Sequence, residues 1–503
     1  MKSMEPVLPF DLMLGDVRAG GLTRALHRQL RTAIIERRLP PGYRLPSSRR
    51  LAEALDIGRN TVIVAYDQLV AAGFARSRRG ARLEVSMPEE ASRAPVTAPP
   101  ADRASDTRLA AAWRWPVDRM VYPAGLPARC FRTGVPENRL FDHDIWRRLM
   151  SRALRNAARL PFNYGPAQGL PELQDAIAGH AAFVRAVVCR PDDVIVTAGA
   201  QQAFDIIARL LVVPGETRVA VENPGFPPLR AAFAGAGARL VPIALDSEGL
   251  RIDLIPGNVR VICVTPSHQS PTGVVMSSPR RAALLARARE IGAVVIEDDY
   301  DGEFLYDPHP QDALQTLDRD GRVFYVGTFS KSLFPSLRLG FVVAPAWARE
   351  AMVDIKRATG SHTHGASQAT LAMFIAEGHL ARHIRRMRPL YAARRNALEE
   401  RAAAHWGDLL HVLPGNAGLH LSLSIVDADM AVPIFALAAR FLPGALPLSS
   451  YAVGDVPPGL CIGYGGVEVD QIAGAVRAMG DAMRPGLRPA PGREWRTQQD
   501  SNL

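Results

Sequence analysis

The chain reads Thr328-Phe329-Ser330-Lys331-Ser332-Leu333-Phe334-Pro335-Ser336-Leu337-Arg338 directly after an apolar run. Lys331 is one of only three lysines, with Lys2 and Lys356, although lysine and arginine together number 60. A primary amine that can lose its proton forms a Schiff base, whereas a guanidinium does not, and lysine in this role is the usual anchor of pyridoxal phosphate. A solvated surface lysine is the alternative. Arg338, which can hold a phosphate through two hydrogen bonds, favours the cofactor.

Short apolar runs alternate with helical patterns through the middle of the chain. The runs indicate buried strands, separated by helices such as 200–211 and 279–291. This α/β alternation predicts a mainly parallel sheet covered by helices on both faces, with a ligand at the carboxyl ends of the strands. The predicted strands are 194–197, 218–221, 261–265, 294–297 and 323–326.

Residues suited to pyridoxal phosphate follow these strands. Ala200 and Gln201 begin a helix whose free N–H groups could hold a phosphate. Phe226 lies in a loop where its ring could stack on the cofactor, although it also fits a core position. Asp298 ends a strand, where its carboxylate could pair with the protonated pyridine nitrogen.

A polar turn from Thr265 to Gly273 contains Ser267 and His268, which are further candidates for cofactor contacts. His268 could instead satisfy a loop carbonyl. The acidic run through Asp301 and Glu303 could suggest a divalent cation, but it lacks the full spacing of an EF-hand loop. We therefore predict no metal site.

Composition limits the class of protein. An apolar share of 48% and a charged share of 22% are typical of a globular protein, and 503 residues suffice for two or three domains. The four cysteines lie far apart without metal-like spacing, which indicates reduced thiols. No apolar run is long enough to span a bilayer, and no export signal is evident. These observations predict a cytoplasmic protein without a membrane segment.

Positive charge is concentrated near the N-terminus. Residues 1–86 hold 15 Lys and Arg against 8 Asp and Glu, and so supply +7 of the net charge of +10. This asymmetry indicates a polyanion as the partner of the N-terminal part.

The N-terminal part also has the order of elements of a DNA-binding domain. An amphipathic helix ends near Pro40, Ser47 or Ser48 begins a second helix that reaches Leu55, and a third helix covers about 59–72. A basic hairpin follows over 74–85. The apolar residues that we expect the first and third helices to bury are Leu22, Leu26, Leu30, Ile34, Val62, Tyr66, Leu69 and Val70.

In such an order the third helix enters the major groove of DNA and the hairpin contacts phosphates. A simple packing module is the alternative reading of three helices. The candidate DNA contacts are Ser47, Ser48, Arg49, Arg59, Asn60, Thr61, Arg78 and Arg79.

Two motifs in this part closely resemble the winged helix-turn-helix of GntR-type bacterial regulators. They are Arg44-Leu45-Pro46-Ser47-Ser48-Arg49 and Arg59-Asn60-Thr61-Val62, and the resemblance covers about residues 15–86. The wing departs from the family, because Gly80-Ala81-Arg82-Leu83-Glu84-Val85 stands where Gly-Ser-Gly-Thr-Phe-Val is usual.

Residues 121–483 resemble a fold-type I aminotransferase, and together with the N-terminal part they resemble the MocR subfamily of bacterial regulators. The motifs that carry this resemblance are Tyr164-Gly165-Pro166-Ala167-Gln168-Gly169-Leu170, Glu297-Asp298-Asp299-Tyr300-Asp301, Gly327-Thr328-Phe329-Ser330-Lys331 and Asn416-Ala417-Gly418-Leu419-His420.

The resemblance implies a role for each candidate residue. Lys331 would form the Schiff base, Asp298 would bind the pyridine nitrogen and Tyr300 would lie near the ring hydroxyl, with Phe226 stacked on the ring. It also implies a homodimer in which Tyr164 lies near the partner's site. The residues that would hold the phosphate are Ala200, Gln201, Thr328 and Arg338.

The expected organisation is a winged helix-turn-helix domain over 1–86, a flexible linker over 87–118, an aminotransferase-like domain with a smaller C-terminal subdomain over 119–486, and a disordered tail over 487–503. The expected function is regulation of transcription, with pyridoxal phosphate, an amine or an amino acid as the effector. A working aminotransferase fused to a DNA-binding domain is the alternative. Gly466 disfavours it, because family members that bind an amino acid carboxylate carry an arginine shortly after the pair that corresponds to Gly463-Tyr464.

Overall fold

A computed structural model describes most of the chain, as two compact units, Met1–Ser105 and Asp106–Leu503. The predicted tail and most of the predicted linker lie outside the described residues. None of the described helices is long and apolar enough to cross a membrane. The described residues are 7–10, 12, 19–77, 83–87, 104, 106–109, 113–114, 125–127, 129–157, 163–307 and 311–483.

The first unit contains three helices and a short hairpin. Ser47 caps the second helix, because its Oγ accepts a hydrogen bond from the Arg50 N–H at 3.3 Å. The hairpin pairs Ala75 with Val85 and Arg76 with Glu84. The elements are α1 (Ala19–Ile35), α2 (Ser48–Leu55), α3 (Arg59–Ala71), β1 (Ala75–Arg76) and β2 (Glu84–Val85).

The core of this unit differs from the prediction in α3. Val70 was expected to be buried but is 37% exposed, while Ala65 is fully buried. Val62, Tyr66 and Leu69 are buried as expected. At 3.6 residues per turn these residues and Ala65 form one stripe on the helix. Val70 lies 100° around the helix from Leu69, outside this stripe.

The second unit is built on an eight-stranded sheet whose neighbouring strands follow the order β3-β10-β9-β8-β7-β4-β5-β6. The five strands from β9 to β5 are parallel to one another, whereas β10 runs antiparallel to both β9 and β3, and β6 runs antiparallel to β5. The mainly parallel sheet is therefore confirmed. The strands are β3 (Val194–Thr197), β4 (Arg218–Asn223), β5 (Arg239–Asp246), β6 (Gly249–Leu250), β7 (Val261–Val264), β8 (Val294–Asp299), β9 (Val323–Thr328) and β10 (Gly340–Val343).

Helices cover both faces of this sheet. In β4, Val219 and Val221 pack into one hydrophobic cluster with Phe204 of the helix after β3, while Ala220 packs into another with Leu284 of the helix before β8. All four side chains of β7 are buried, as the apolar run predicted. The helices are α4 (His143–Ala157), α5 (Pro171–Arg185), α6 (Ala200–Leu211), α7 (Pro227–Gly235), α8 (Ser278–Ile291), α9 (Arg349–Gly360) and α10 (Gly365–Ala376).

A smaller antiparallel sheet, in the order β11-β12-β14-β13, forms the C-terminal subdomain. Helices α11 and α13 pack together, and the indole N–H of Trp406 donates to the Val476 carbonyl at 3.0 Å. The elements are α11 (His379–Trp406), β11 (Leu410–Val412), β12 (His420–Ile425), α12 (Ala431–Phe441), β13 (Leu446–Pro447), β14 (Gly459–Gly463) and α13 (Val469–Met483).

Candidate functional site

Lys331 lies just beyond the carboxyl end of β9, where it is half-buried. Its Nζ donates a hydrogen bond to the Gly134 carbonyl at 2.8 Å. Burial lowers the pKa of Lys331 below its ordinary value and Arg132 acts in the same direction, while Asp301 and Asp298 oppose the shift. A lowered pKa increases the fraction of neutral amine, which is the nucleophilic form.

Asp298 lies on β8, next to β9, and is only 2% exposed. Its Oδ1 has no hydrogen-bond partner among the described residues. Burial raises the pKa of Asp298 well above its ordinary value, the neighbouring carboxyls of Asp299 and Asp301 add to this rise, and Lys331 opposes it. A buried carboxyl with an unused oxygen fits a protonated ring nitrogen, which would donate to it and balance its charge.

A second group of residues forms a cradle at the N-terminus of α6. Gly199 precedes this helix with φ +82, and a Cβ at this position would lie 3.2 Å from the Arg338 guanidinium. Arg338 donates to the Ala198 carbonyl at 2.7 Å. The first N–H groups of a helix have no acceptor within it, so the main-chain groups of Ala200 and Gln201 can bind an anion beside this guanidinium.

The side chains of two predicted phosphate contacts, Gln201 and Thr328, already form hydrogen bonds within the protein. The Gln201 amide donates to the Pro228 carbonyl at 3.0 Å, so Gln201 offers its main chain rather than its side chain. Thr328 Oγ1 donates to Ser330 Oγ at 3.0 Å, and both hydroxyls lie at the end of β9.

A cavity beside Lys331 is lined by residues from distant parts of the second unit. Phe226 and Tyr300 lie in its wall. No local pattern in the sequence marks Thr133, Gly134, Ser270, Tyr451 or Cys461, and His420 is marked only as part of a family motif. The wall residues are Thr133, Gly134, Phe226, Ser270, Tyr300, Lys331, His420, Tyr451 and Cys461.

Ser267 and His268 do not line this cavity. The Ser267 hydroxyl accepts a hydrogen bond from Arg185 Nη2 at 2.6 Å, and the same guanidinium binds Asp299 at 2.7 Å. His268 lies behind Tyr300, with its Nδ1 3.0 Å from the Tyr300 hydroxyl. Ser267 therefore belongs to a buried ion-pair network, and Ser270 is the serine of this turn that lies in the wall.

The wall contains no arginine among the residues that the structure describes. Gly466, at the position of the missing carboxylate clamp, is not a wall residue, and β14 contributes Cys461 to the wall. Burial raises the pKa of the Cys461 thiol to about 12, so this side chain is neutral. Arg132 precedes the wall residue Thr133 and is exposed.

The other lysine of the second unit lies elsewhere. Lys356 of α9 is 0% exposed, and its Nζ donates to the Ala167 carbonyl. Burial lowers its pKa to about 8. Lys356 is not in the cavity wall.

In the first unit the described candidate DNA contacts lie at or next to the N-terminal ends of α2 and α3. Arg59 begins α3 and its Nε donates to Ser48 Oγ at 3.3 Å, which joins α3 to the start of α2. Arg49 is exposed and pairs with Glu53 at 3.1 Å. Asn60 is exposed and Thr61 is half-buried. Arg78 and Arg79 lie outside the described residues.

Two family matches divide the chain in the same way as its fold. Residues 22–85 match the bacterial regulatory proteins of the gntR family, and residues 135–428 match the class I and II aminotransferases.

Relatives with both parts span almost the whole chain. The probable rhizopine catabolism regulatory protein MocR of Rhizobium meliloti is 36% identical over 88% of this chain and 90% of its own length. The pyridoxine biosynthesis transcriptional regulator PdxR of Corynebacterium glutamicum is 31% identical over 92% of this chain and 96% of its own.

Solved aminotransferases share the fold of the second unit. The kynurenine aminotransferase of Pyrococcus horikoshii has a TM-score of 0.66 with 26% identity, covering 71% of this chain and 91% of its own. The α-aminoadipate aminotransferase LysN of Thermus thermophilus, complexed with N-(5'-phosphopyridoxyl)-L-leucine, has a TM-score of 0.65 with 26% identity, covering 71% of this chain and 92% of its own.

Proposed function

Because the chain belongs to the MocR-type regulators, in which a GntR-family DNA-binding domain precedes a domain of the aminotransferase class I and II family, we propose that it regulates transcription in response to a ligand of the second domain. The ligand is pyridoxal phosphate, held by Lys331, or an amine or amino acid that reaches the bound cofactor. Such a regulator acts in the bacterial cytoplasm, where the DNA is.

The observation that carries the proposal is the unpartnered Oδ1 of Asp298, 2% exposed and within electrostatic reach of Lys331. Leaving a buried carboxyl oxygen without a donor is costly, and a pyridinium N–H removes that cost. Lys331 would then bind the cofactor as a Schiff base, and Asp298 would bind its ring nitrogen.

The remaining residues fit the other parts of the cofactor. Phe226 would stack on the ring and Tyr300 would bind its hydroxyl, and the presence of both in the cavity wall with Lys331 supports these roles. Ser267 and His268 support the wall from behind. Ala200, Gln201, Thr328 and Arg338 would hold the phosphate group.

When bound, pyridoxal phosphate supplies a carbonyl that exchanges between amines and a ring that withdraws electrons from them. The protein supplies an amine with a lowered pKa at Lys331 and a carboxylate at Asp298 that keeps the ring nitrogen protonated. No arginine is among the described residues of the wall, so an amino acid carboxylate would be poorly fixed there. Even a small misplacement of reacting groups can cost on the order of a hundredfold in rate.

The first domain would bind operator DNA through the N-terminal end of α3. Ser47, Ser48 and Arg49 would contribute from the start of α2, and Arg78 and Arg79 from the wing. A homodimer would present two such helices to two half-sites. Tyr164, which is 85% exposed, would then lie near the partner's cavity.

The test is covalent trapping of the cofactor. Purified protein incubated with pyridoxal phosphate should absorb visible light, and borohydride should fix the cofactor on the peptide that contains Lys331. Lys331→Ala should abolish the adduct. Lys356→Met is the matched control, because it removes the other lysine of this domain and should leave the adduct unchanged. An adduct on Lys356 would overturn the site.

A second measurement separates the regulator from a working aminotransferase. We expect slow or absent conversion of common amino acids to keto acids, together with a change in operator affinity on adding pyridoxal phosphate or an amine. The two binding effects must be reciprocal, since a ligand shifts an equilibrium only through its different affinity for the two states. Turnover at ordinary enzymatic rates with unchanged DNA binding would instead establish the enzyme.

A further inference from the structure

A buried hydrogen-bonded group lies directly behind the cavity wall. His268 Nδ1 is 2.9 Å from Asp301 Oδ2 and 3.0 Å from the Tyr300 hydroxyl. His268 and Asp301 are 3% and 2% exposed, whereas Tyr300 is half-buried and lies in the wall itself. Tyr300 is therefore the member of this group that faces the cavity.

Packing holds the group in place. The His268 ring stacks on Tyr300 with centroids 5.9 Å apart, and the His420 ring lies 4.6 Å from His268. Gly418, at φ +73, covers the contact so closely that a Cβ there would overlap both Asp301 Oδ2 and His268 Nδ1. The Gly418 carbonyl accepts hydrogen bonds from the Tyr306 and Tyr464 hydroxyls at 2.6 and 2.7 Å.

The hydrogen-bond chemistry of the group fixes where its protons lie. Burial raises the pKa of Asp301, and the hydrogen bond with His268 opposes that rise. The ionised carboxylate only accepts hydrogen bonds, so it pairs with an Nδ1 that carries a proton. The Tyr300 hydroxyl cannot donate to a nitrogen that already holds a proton. Its own proton is then left for an acceptor on the cavity side. The contact between His268 and Asp301 and the 3.0 Å hydrogen bond from His420 Nε2 to the Pro271 carbonyl already give these side chains hydrogen-bond partners within the protein.

We infer that the Asp301–His268 pair acts as a positioning device that turns the Tyr300 hydroxyl into a hydrogen-bond donor aimed at the ring oxygen of the cofactor. The inference rests on the proposed binding of pyridoxal phosphate. Asp301 and His268 do not touch the cofactor and act only through Tyr300. A donor at the ring oxygen stabilises its anionic form, so it lowers the pH at which the bound cofactor loses its proton.

Several other titratable groups surround Tyr300 and enter any pH profile of the site. Burial raises the pKa of Tyr300 itself well above its ordinary value, and the neighbouring carboxyls add to that rise. The hydroxyl therefore stays protonated throughout the range in which the cofactor titrates. The surrounding groups are Asp298, Asp301, Glu222, His268, His420, Lys331 and Cys461.

The experiment is an absorbance titration of the full-length protein loaded with pyridoxal phosphate. His268→Phe and Asp301→Asn should each raise the titration midpoint by about one pH unit, which corresponds to one hydrogen bond to a charged group. Asp301→Asn keeps the shape of the side chain but removes its charge. Without a carboxylate facing Nδ1, the imidazole can carry its proton on Nε2 instead, so the Nδ1 lone pair is free to accept the Tyr300 proton, which then no longer points into the cavity.

A double variant tests whether His268 works through Tyr300. Tyr300→Phe should raise the midpoint, and adding His268→Phe to it should cause no further change, because residues in one pathway are not additive. His383→Phe is the matched control, since this histidine of α11 is buried but lies outside the cavity wall.

The possible results distinguish failure of this inference from failure of the proposed function. An unchanged midpoint in folded Asp301→Asn, or an equal shift from His268→Phe with and without Tyr300, would overturn the inference. If His268→Phe fails to fold, Asp301→Asn alone decides. Absence of any cofactor absorbance in the unaltered protein would refute the proposed function instead.

Discussion

Replacing Asp298 by asparagine should weaken cofactor binding but stabilise the cofactor-free protein. Asn has the same shape but no charge, so it cannot form an ion pair with a pyridinium. A hydrogen bond to a charged group contributes about 1.5–3 kcal/mol, and 1.4 kcal/mol is a factor of ten in affinity. We therefore expect Asp298→Asn to bind pyridoxal phosphate roughly 10- to 100-fold more weakly.

In the protein without cofactor, Asp298→Asn should increase the free energy of unfolding at neutral pH. Because burial and the neighbouring carboxyls raise the pKa of Asp298, the folded state holds its proton more tightly than the unfolded state does. That contribution to the free energy of unfolding is present at low pH and is lost as the pH rises above about 4, toward the folded pKa. Because asparagine does not ionise, Asp298→Asn does not lose stability in this way as the pH rises. This variant should therefore be more stable than the unaltered protein at neutral pH.

The assay has two arms and a matched control. Cofactor affinity is measured by absorbance after equilibrium dialysis, and stability by thermal unfolding of the cofactor-free protein at several pH values. Glu297→Gln changes the adjacent carboxyl of β8, whose pKa burial raises to about 7 and whose oxygens already accept from the Leu314 and Gln315 N–H groups. It should leave cofactor affinity unchanged. Unaltered affinity in Asp298→Asn would refute the assignment of the ring nitrogen to this residue.

Three further outcomes are expected. Arg59→Ala should weaken operator binding by about 1–3 kcal/mol without changing cofactor absorbance, as gel-shift titrations and spectra of the same samples would show. Arg338→Ala should weaken binding of pyridoxal phosphate about tenfold or more but leave binding of pyridoxal unchanged, because only the former carries the phosphate. Gly418→Ala should lower the free energy of unfolding by at least about 1–3 kcal/mol, since φ +73 alone strains alanine; a denaturant titration with an unchanged midpoint would contradict this.

Local patterns in the sequence predicted much of the large sheet. The helix over 200–211 occurs at the same residues as α6, and the five predicted strands all occur. Buried parallel strands are continuous apolar runs, so they are visible locally. β5 is largely exposed or half-buried, so it gave no such signal. β10 is a fully buried apolar run and was not predicted, although it carries this signal.

The candidate site was predictable only where its residues follow strands. Lys331, Asp298 and Tyr300 lie at the end of a strand or shortly after one, and the sheet brings them together. Gly134 and Cys461 enter the wall from segments more than a hundred residues away, and only tertiary packing brings them there. His268 does follow a strand, β7. The sequence alone did not distinguish a direct contact with the cofactor from the observed contacts with Asp301 and Tyr300.

Because lysine is scarce, cleavage after lysine can measure the fraction of the protein that carries the cofactor. A protease that cuts only after lysine would release residues 3–331, 332–356 and 357–503 from the denatured chain. Reduction of the cofactor onto Lys331 blocks one of these cuts, so an intact 3–356 fragment measures the loaded fraction directly. Lys356, fully buried and bonded to the Ala167 carbonyl in the fold, escapes amine reagents until the chain is unfolded and so serves as the internal standard. Cofactor loading in a living cell could thus be read from two bands on a gel.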